Sequence, residues 1–182
     1  MVERRAFGIL GMALVLLAAL ASACRGSDTG SGRDAADGRD LMQITFRVVA
    51  TEKTLPADFF SIAPKDVLIR VATDQDKLQE LWSYFGLQVQ VPSVRWDREV
   101  ILLLGTGESS TCPFRVGEIT FDGASGRLRI RLDRPTGPGM CTADFSPRTF
   151  VLALPRNLMD GGWREMQVLG VHGEPVVPLE LP

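Results

Sequence analysis

"FRVGEITFDGASGRLRIRLD", Phe114 to Asp133, reads as two strands around a tight turn, and the rest of the chain has to be built around it. In the second arm Leu128, Ile130 and Leu132 alternate with Arg127, Arg129 and Arg131. Successive strand side chains point to opposite faces, so one face is apolar and the other cationic. In the first arm Phe114 and Val116 hold one phase while Ile119 and Phe121 hold the other. A slip of one residue near Gly117 is the mark of a β-bulge. The glycines of "GASG" supply the turn. The arginine stripe reads first as a solvated outer face, partly neutralised across the hairpin by Glu118 and nearby acids. Its functional alternative is a surface for an anion, a headgroup or an acidic partner.

Outward from the hairpin the pattern stays strand-like. Gln43 to Ala50 alternates Ile44, Phe46 and Val48 against Thr45 and Arg47, as one half-buried strand would. Val67 to Thr73 is apolar and β-branched. Glu99 to Gly105 is apolar without alternation, which suits a strand buried on both faces. "TFVLALP" repeats that pattern, Glu165 to Val171 gives one more strand, and the Pro-rich tail suits an edge. One helix interrupts them. In "TDQDKLQELWSYFG" Leu78, Leu81, Trp82 and Phe85 share a stripe, with Thr73 or Asp74 to cap the start and Gly86 the end. The expected fold is α+β and β-rich: a mostly antiparallel curved sheet or sandwich with one main amphipathic helix packed on it.

The N-terminus has a different logic. Arg4 and Arg5 precede an apolar run, Ala6 to Ala23, that ends in small residues before Cys24. This is the pattern of a secretory signal, residues 1–23. Leu20, the small residues and Cys24 also resemble the bacterial lipobox, in which that cysteine is acylated; Ala21 stands where leucine is commonest. A retained membrane-spanning helix is the competing reading of the apolar run. Acyl chains such as palmitate contribute about 0.8 kcal/mol per buried CH₂, so two or more hold a protein stably at a membrane. Residues 24–41 then form a lipidated cysteine and a flexible Gly/Ser/Asp-rich linker, with one extracytoplasmic domain, 42–182, beyond it. With 20 basic and 22 acidic residues and a net charge of −2, nothing implies nucleic acid as a partner. The membrane, through the lipid, is the expected one.

With Cys24 acylated, Cys112 and Cys141 remain as an even pair in an exported domain, each in a loop flanking the hairpin. That placement predicts a disulfide. A catalytic thiol would need a base, and His172 is the sole histidine. Two cysteines and one histidine without paired spacing also fall short of a zinc site, so no metal and no cofactor is expected. "GESSTC" lacks the strand–turn–helix elbow of a serine nucleophile. "GTG", Gly105 to Gly107, follows a strand but precedes no helix to hold a phosphate. No catalytic residues are therefore assigned. An envelope hydrolase with a thiol or serine nucleophile in the 108–112 loop, Cys112, Ser109 or Ser110 with His172, is one alternative. A small-ligand or cell-wall binding module with Trp82, Trp96 or Trp163 in a pocket is another.

From about Val67 to Gly170 the chain resembles a family of exported bacterial proteins with the PrcB C-terminal-like domain. The resemblance rests on "DKLQELWSYF", on "VPSVRWDREVILLLG", on the small-residue loop before the hairpin, and on "SPRTFVLALPR". The family's loop reads Thr-Gly-Gly-Tyr where this chain has Thr111-Cys112-Pro113-Phe114, so a rigid Cys-Pro pair replaces two flexible glycines. The resemblance implies no catalytic residues and an association with a surface protease complex. The expected function is thus a non-enzymatic, lipid-anchored interaction or assembly module. Its candidate contact residues are Thr111, Phe114, Arg127, Arg129 and Arg131.

Overall fold

The computed structural model describes residues 41–135 and 140–179. The leader, Cys24 and nearly all of the linker lie outside them. Among the described residues the chain runs β1 (Leu41–Gln43), β2 (Arg47–Glu52), α1 (Phe59–Ile62), β3 (Val67–Ala72), α2 (Gln75–Tyr84), β4 (Glu99–Glu108), β5 (Arg115–Asp122), β6 (Arg127–Asp133), β7 (Ser146–Pro155), α3 (Asn157–Asp160), β8 (Glu165–Leu169) and β9 (Val176–Pro178). The fold is α+β and β-rich. One sheet has the order β1-β5-β6-β8-β9 and the other β2-β7-β4-β3. All pairings are antiparallel except β6 with β8.

The unbroken apolar run of β4 is explained by its central place in the four-stranded sheet. Val100, Leu102 and Leu104 face the five-stranded sheet and meet Ile119, Phe121, Leu128, Ile130 and Leu132. Ile101 and Leu103 face the other way, onto Leu78, Leu81, Trp82 and Phe85 of the α2 side. The sheet is therefore apolar on both sides, and each fully buried leucine there contributes about 1.5–3 kcal/mol. Asp74 caps α2, its carboxylate accepting from Lys77 N at 2.8 Å.

The hairpin forms as its alternation requires, with the register shifted between Val116 and Glu118. Gly117 is the extra residue. The Asp133 carboxylate fills the space a side chain would need, since a Cβ on Gly117 would collide with Asp133 Oδ2.

Two expectations need correcting. Gln43 to Ala50 is not one strand: β1 pairs with β5 in one sheet, the chain crosses at residues 44–46, and β2 pairs with β7 in the other. Ile44 and Phe46 still point into the space between the sheets; a second bulge falls between Val48 and Ala50, and Val48 is exposed on this edge strand. The strand expected to reach Val171 stops at Leu169, where Gly170 turns the chain (φ +87°). Two single-turn helices, α1 and α3, accompany the main one.

The pairing gives the sandwich two distinct ends. Leu41 lies opposite Asp122 at the hairpin turn, and Arg164 N donates to Gly126 O, which brings the α3 side to that same turn. At the other end Glu108 closes β4 opposite Ser146, and the loops carrying Cys112 and Cys141 emerge.

Candidate functional site

Cys112 and Cys141 are joined by a disulfide with their Cα atoms 5.4 Å apart. A second clamp lies at the root of the same loops. Glu108 Oε1 accepts from Arg148 Nε at 2.8 Å and Nη2 at 2.5 Å, and Glu108 Oε2 accepts from Phe114 N at 2.7 Å. The Glu108 side chain is fully buried and that of Arg148 is 12 % exposed. One carboxylate thus ties the end of β4 to β7 and to the residue that leads into β5.

Between the loops a hydroxyl cluster stands in solvent. Ser109 Oγ lies 3.1 Å from Thr111 Oγ1 and 3.0 Å from Thr142 Oγ1, and Thr142 N donates to Thr111 Oγ1 at 3.0 Å. Asp144 accepts from the Thr142 hydroxyl and from Ser110 N. Donation by Thr142, and then by Ser110, holds the Asp144 carboxyl down at about 2. The folded value is below the ordinary carboxylate range, so these bonds are fully in place above the ordinary 3.8 and are lost as pH falls through about 2. A carbon-detected NMR titration of the Asp144 carboxyl should show a midpoint near 2. A midpoint near the ordinary 3.8 would mean the loop bonds do not form.

Beside the cluster is a groove of about 390 Å³ whose lining includes Lys65, Gly107, Arg134, Phe145 and His172. Among the described residues, the three non-glycine residues with positive φ, Lys65 (51°), Asp66 (59°) and Glu174 (38°), all lie at this end, and Lys65 Nζ donates to Gly173 O at 3.2 Å. Such backbone costs of order 1–3 kcal/mol per residue, and it clusters at sites where a loop must hold one shape.

Next to the groove two aromatic rings are out of place for a soluble surface. Phe60 is 71 % exposed and Phe145 45 %, their ring centroids 5.0 Å apart, and Phe59 lies buried beneath both. Phe145 rests on bare backbone: a Cβ on Gly107 would collide with its ring. The "GTG" stretch is therefore a bed for rings rather than a phosphate loop. Gly107→Ala should displace Phe145 or cost about 1–3 kcal/mol, as overpacking does. An unchanged unfolding midpoint together with an unmoved Phe145 ring by NMR would contradict this.

The residues singled out from sequence divide. Thr111 stands exposed in the hydroxyl cluster. Phe114 does not belong to the surface: it is 5 % exposed, packed in the inter-sheet core with Arg134 stacked 5.1 Å above its ring. The arginine stripe is committed to internal pairs, Arg127 to Glu165 at 2.5 Å, Arg129 to Asp122 at 3.9 Å, and Arg131 to Glu118 at 3.3 Å and Asp133 at 2.5 Å. Trp82 and Trp163 are buried in the two cores, and Trp96 packs half-buried with its Nε1 on Gln75 Oε1 at 3.3 Å. His172 lines the groove but makes no hydrogen bond to Ser109, Ser110 or Cys112, whose sulfur is bound to Cys141. No group of metal-ligating side chains occurs among the described residues, and no helix among them is long and apolar enough to cross a membrane.

Sequence reading missed Glu108, Arg148, Asp144, Phe60 and Phe145. Comparison with protein-family models, curated proteins and solved structures found no match. Function has to be read from the chemistry of the disulfide-closed end itself.

Proposed function

We propose that the chain is a lipid-anchored, extracytoplasmic, non-enzymatic protein that meets a protein partner through its disulfide-closed end. The observation that carries the reading is the exposed Phe60–Phe145 pair. Paired large apolar side chains in water are a cost that contact with a partner removes, and aromatic anchors dominate the energy of such contacts. The surrounding loop is held by a covalent bond, a buried ion pair and strained backbone, so little ordering is left to oppose binding. The face lies at the end of the sandwich away from Leu41, where the chain joins its linker. The resemblance to PrcB-like exported proteins supports a role beside a surface protease complex, and the lipobox-like Cys24 supports attachment to the extracytoplasmic face of a cell membrane.

Two measurements test the parts separately. Mass spectrometry of the membrane fraction should find Cys24 acylated at a new N-terminus; an intact leader with an unmodified cysteine would remove the anchor. A cross-linked partner should be recovered at least fivefold less well with Phe60→Ser plus Phe145→Ser, roughly what loss of a 1 kcal/mol aromatic contact produces. Equal recovery would remove the contact face.

A further inference from the structure

We infer that a groove at the linker end of the sandwich binds the phosphate of an anionic phospholipid, so that the domain rests on the membrane by this end and turns its disulfide-closed end outward. The inference rests on the lipid-anchored reading above and adds a second, non-covalent contact with the lipid. The groove, of about 260 Å³, is lined by Arg47, Arg95, Arg98 and Glu99 together with Phe46 and Leu154. β2 opens at Arg47 opposite Ala153, and β4 opens at Glu99 opposite Pro155. Both positions lie at the end of the four-stranded sheet away from Glu108, and so at the end that bears Leu41.

Three guanidiniums meet one carboxylate in this groove. Glu99 Oε1 is shared, 3.2 Å from Arg47 Nη2 and 3.8 Å from Arg95 Nη2, and the second contact is too long for a hydrogen bond. Arg98 turns its Nε to the adjacent Asp97 at 3.3 Å, and both of those side chains are at least 70 % exposed. With Asp97 counted, three arginines face two carboxylates, an excess of one positive charge. Donors are in larger excess. Each guanidinium carries five N–H groups, yet among the described residues these three side chains give a single hydrogen bond, from Arg47 to Glu99. Spare donors and surplus charge select an anion, and the guanidinium fork matches the oxygens of a phosphate. The other charges of this end lie outside the groove. Arg127 pairs with Glu165 and Arg129 with Asp122 on the five-stranded sheet. Asp74 and Asp76 stand on the α2 face, where Arg156 donates to Thr73 O and the helix contributes its own positive end.

The attachment at Cys24 decides which phosphate is at hand. Only residues 25–40 separate that cysteine from Leu41, and a coil of this length reaches about 20–25 Å. A ten-residue strand such as β4 runs ~33 Å, so the tether holds this end, and not the disulfide-closed one, next to lipid. Exposed apolar side chains gather at the same end: Leu41 (40 %), Met42 (52 %) and Val48 (44 %) flank the groove-lining stretch Thr45 to Arg47. Cations beside exposed apolar groups suit the headgroup layer, where the first meet phosphates and the second the acyl boundary.

The experiment places the full acylated chain on phosphatidylcholine vesicles with and without phosphatidylglycerol, each doped with a headgroup-spin-labelled lipid. Trp96, half-buried between Arg95 and Asp97, reports by its fluorescence, while Trp82 and Trp163 are buried. Quenching should be about twofold stronger with phosphatidylglycerol than without it. About 1 M NaCl, where the Debye length is ~3 Å, should remove the difference. Arg95→Glu plus Arg98→Glu changes two side chains that are each at least 67 % exposed, so the fold should survive and the difference should again vanish. Equal quenching on the two vesicles, or a difference that the variant keeps, would overturn the inference. Loss of the difference on adding inorganic phosphate, but not NaCl of equal ionic strength, would give the groove to a free anion and overturn the lipid source. Flotation with phosphatidylcholine alone reports the anchor, to which these arginines add nothing. A chain that floats there yet shows no difference in quenching loses this inference and keeps the anchor. A chain that does not float there loses the anchor, and arginine-dependent flotation with phosphatidylglycerol then decides the groove.

Discussion

Arg148→Ala is expected to cost about 3–5 kcal/mol, because it leaves the Glu108 carboxylate buried without its partner. The pair is not stabilising merely by being present: taking both ions out of water is expensive, and an apolar pair of similar volume can serve as well. Glu108→Met plus Arg148→Met should therefore lose far less than the single substitution, though Phe114 N would then need another acceptor. Urea unfolding of the three proteins makes the comparison. A double variant as unstable as Arg148→Ala would show that the cost lies in lost packing and not in the stranded charge.

Replacing both cysteines, Cys112→Ser plus Cys141→Ser, is expected to lower stability by about 3.5 kcal/mol, from the entropy an open loop of this length regains in the unfolded chain. The two residues are 29 positions apart, and the bridge spans the whole hairpin, so its loss should leave β5 and β6 paired while loosening residues 109–112 and 140–145. Hydrogen exchange resolves the two effects. Faster exchange confined to the loops, with the unfolding midpoint lowered, is the expected pattern; a midpoint unchanged from the disulfide form would show that the Glu108–Arg148 clamp alone fixes the end of the sandwich.

What could be read from the chain divides by the range of the forces concerned. Alternation in β6, the slip at Gly117, the stripe of α2 and the two-sided burial of β4 are local periodicities, and each appears where the residues place it. The switch of residues 41–52 from one sheet to the other left no local mark, because Ile44 and Phe46 alternate equally well in one strand or two. The parallel pairing of β6 with β8 is likewise a matter of how the α3 segment returns the chain. At the site, the cysteines were legible because few roles suit a pair of cysteines in the two loops that flank one hairpin. Glu108 and Arg148 were not, since a charge at the end of a strand ordinarily faces water and only the pairing of β4 with β7 buries these two together. Phe60 and Phe145 were hidden for the opposite reason: phenylalanine reads as core, and exposure depends on which loop it ends up in.

Residues 41–52 also bear on when this protein can fold. They form an outer strand of both sheets, yet Leu41 pairs with Asp122 and Glu52 with Thr149, partners roughly 80 and 100 positions later, a separation that makes pairing slow. The first part of the domain to be synthesised must therefore wait, unpaired, until almost all of it has been delivered. The inner strands of both sheets can pair among themselves first, so this segment is the last to close and the fold is completed at its two outer edges.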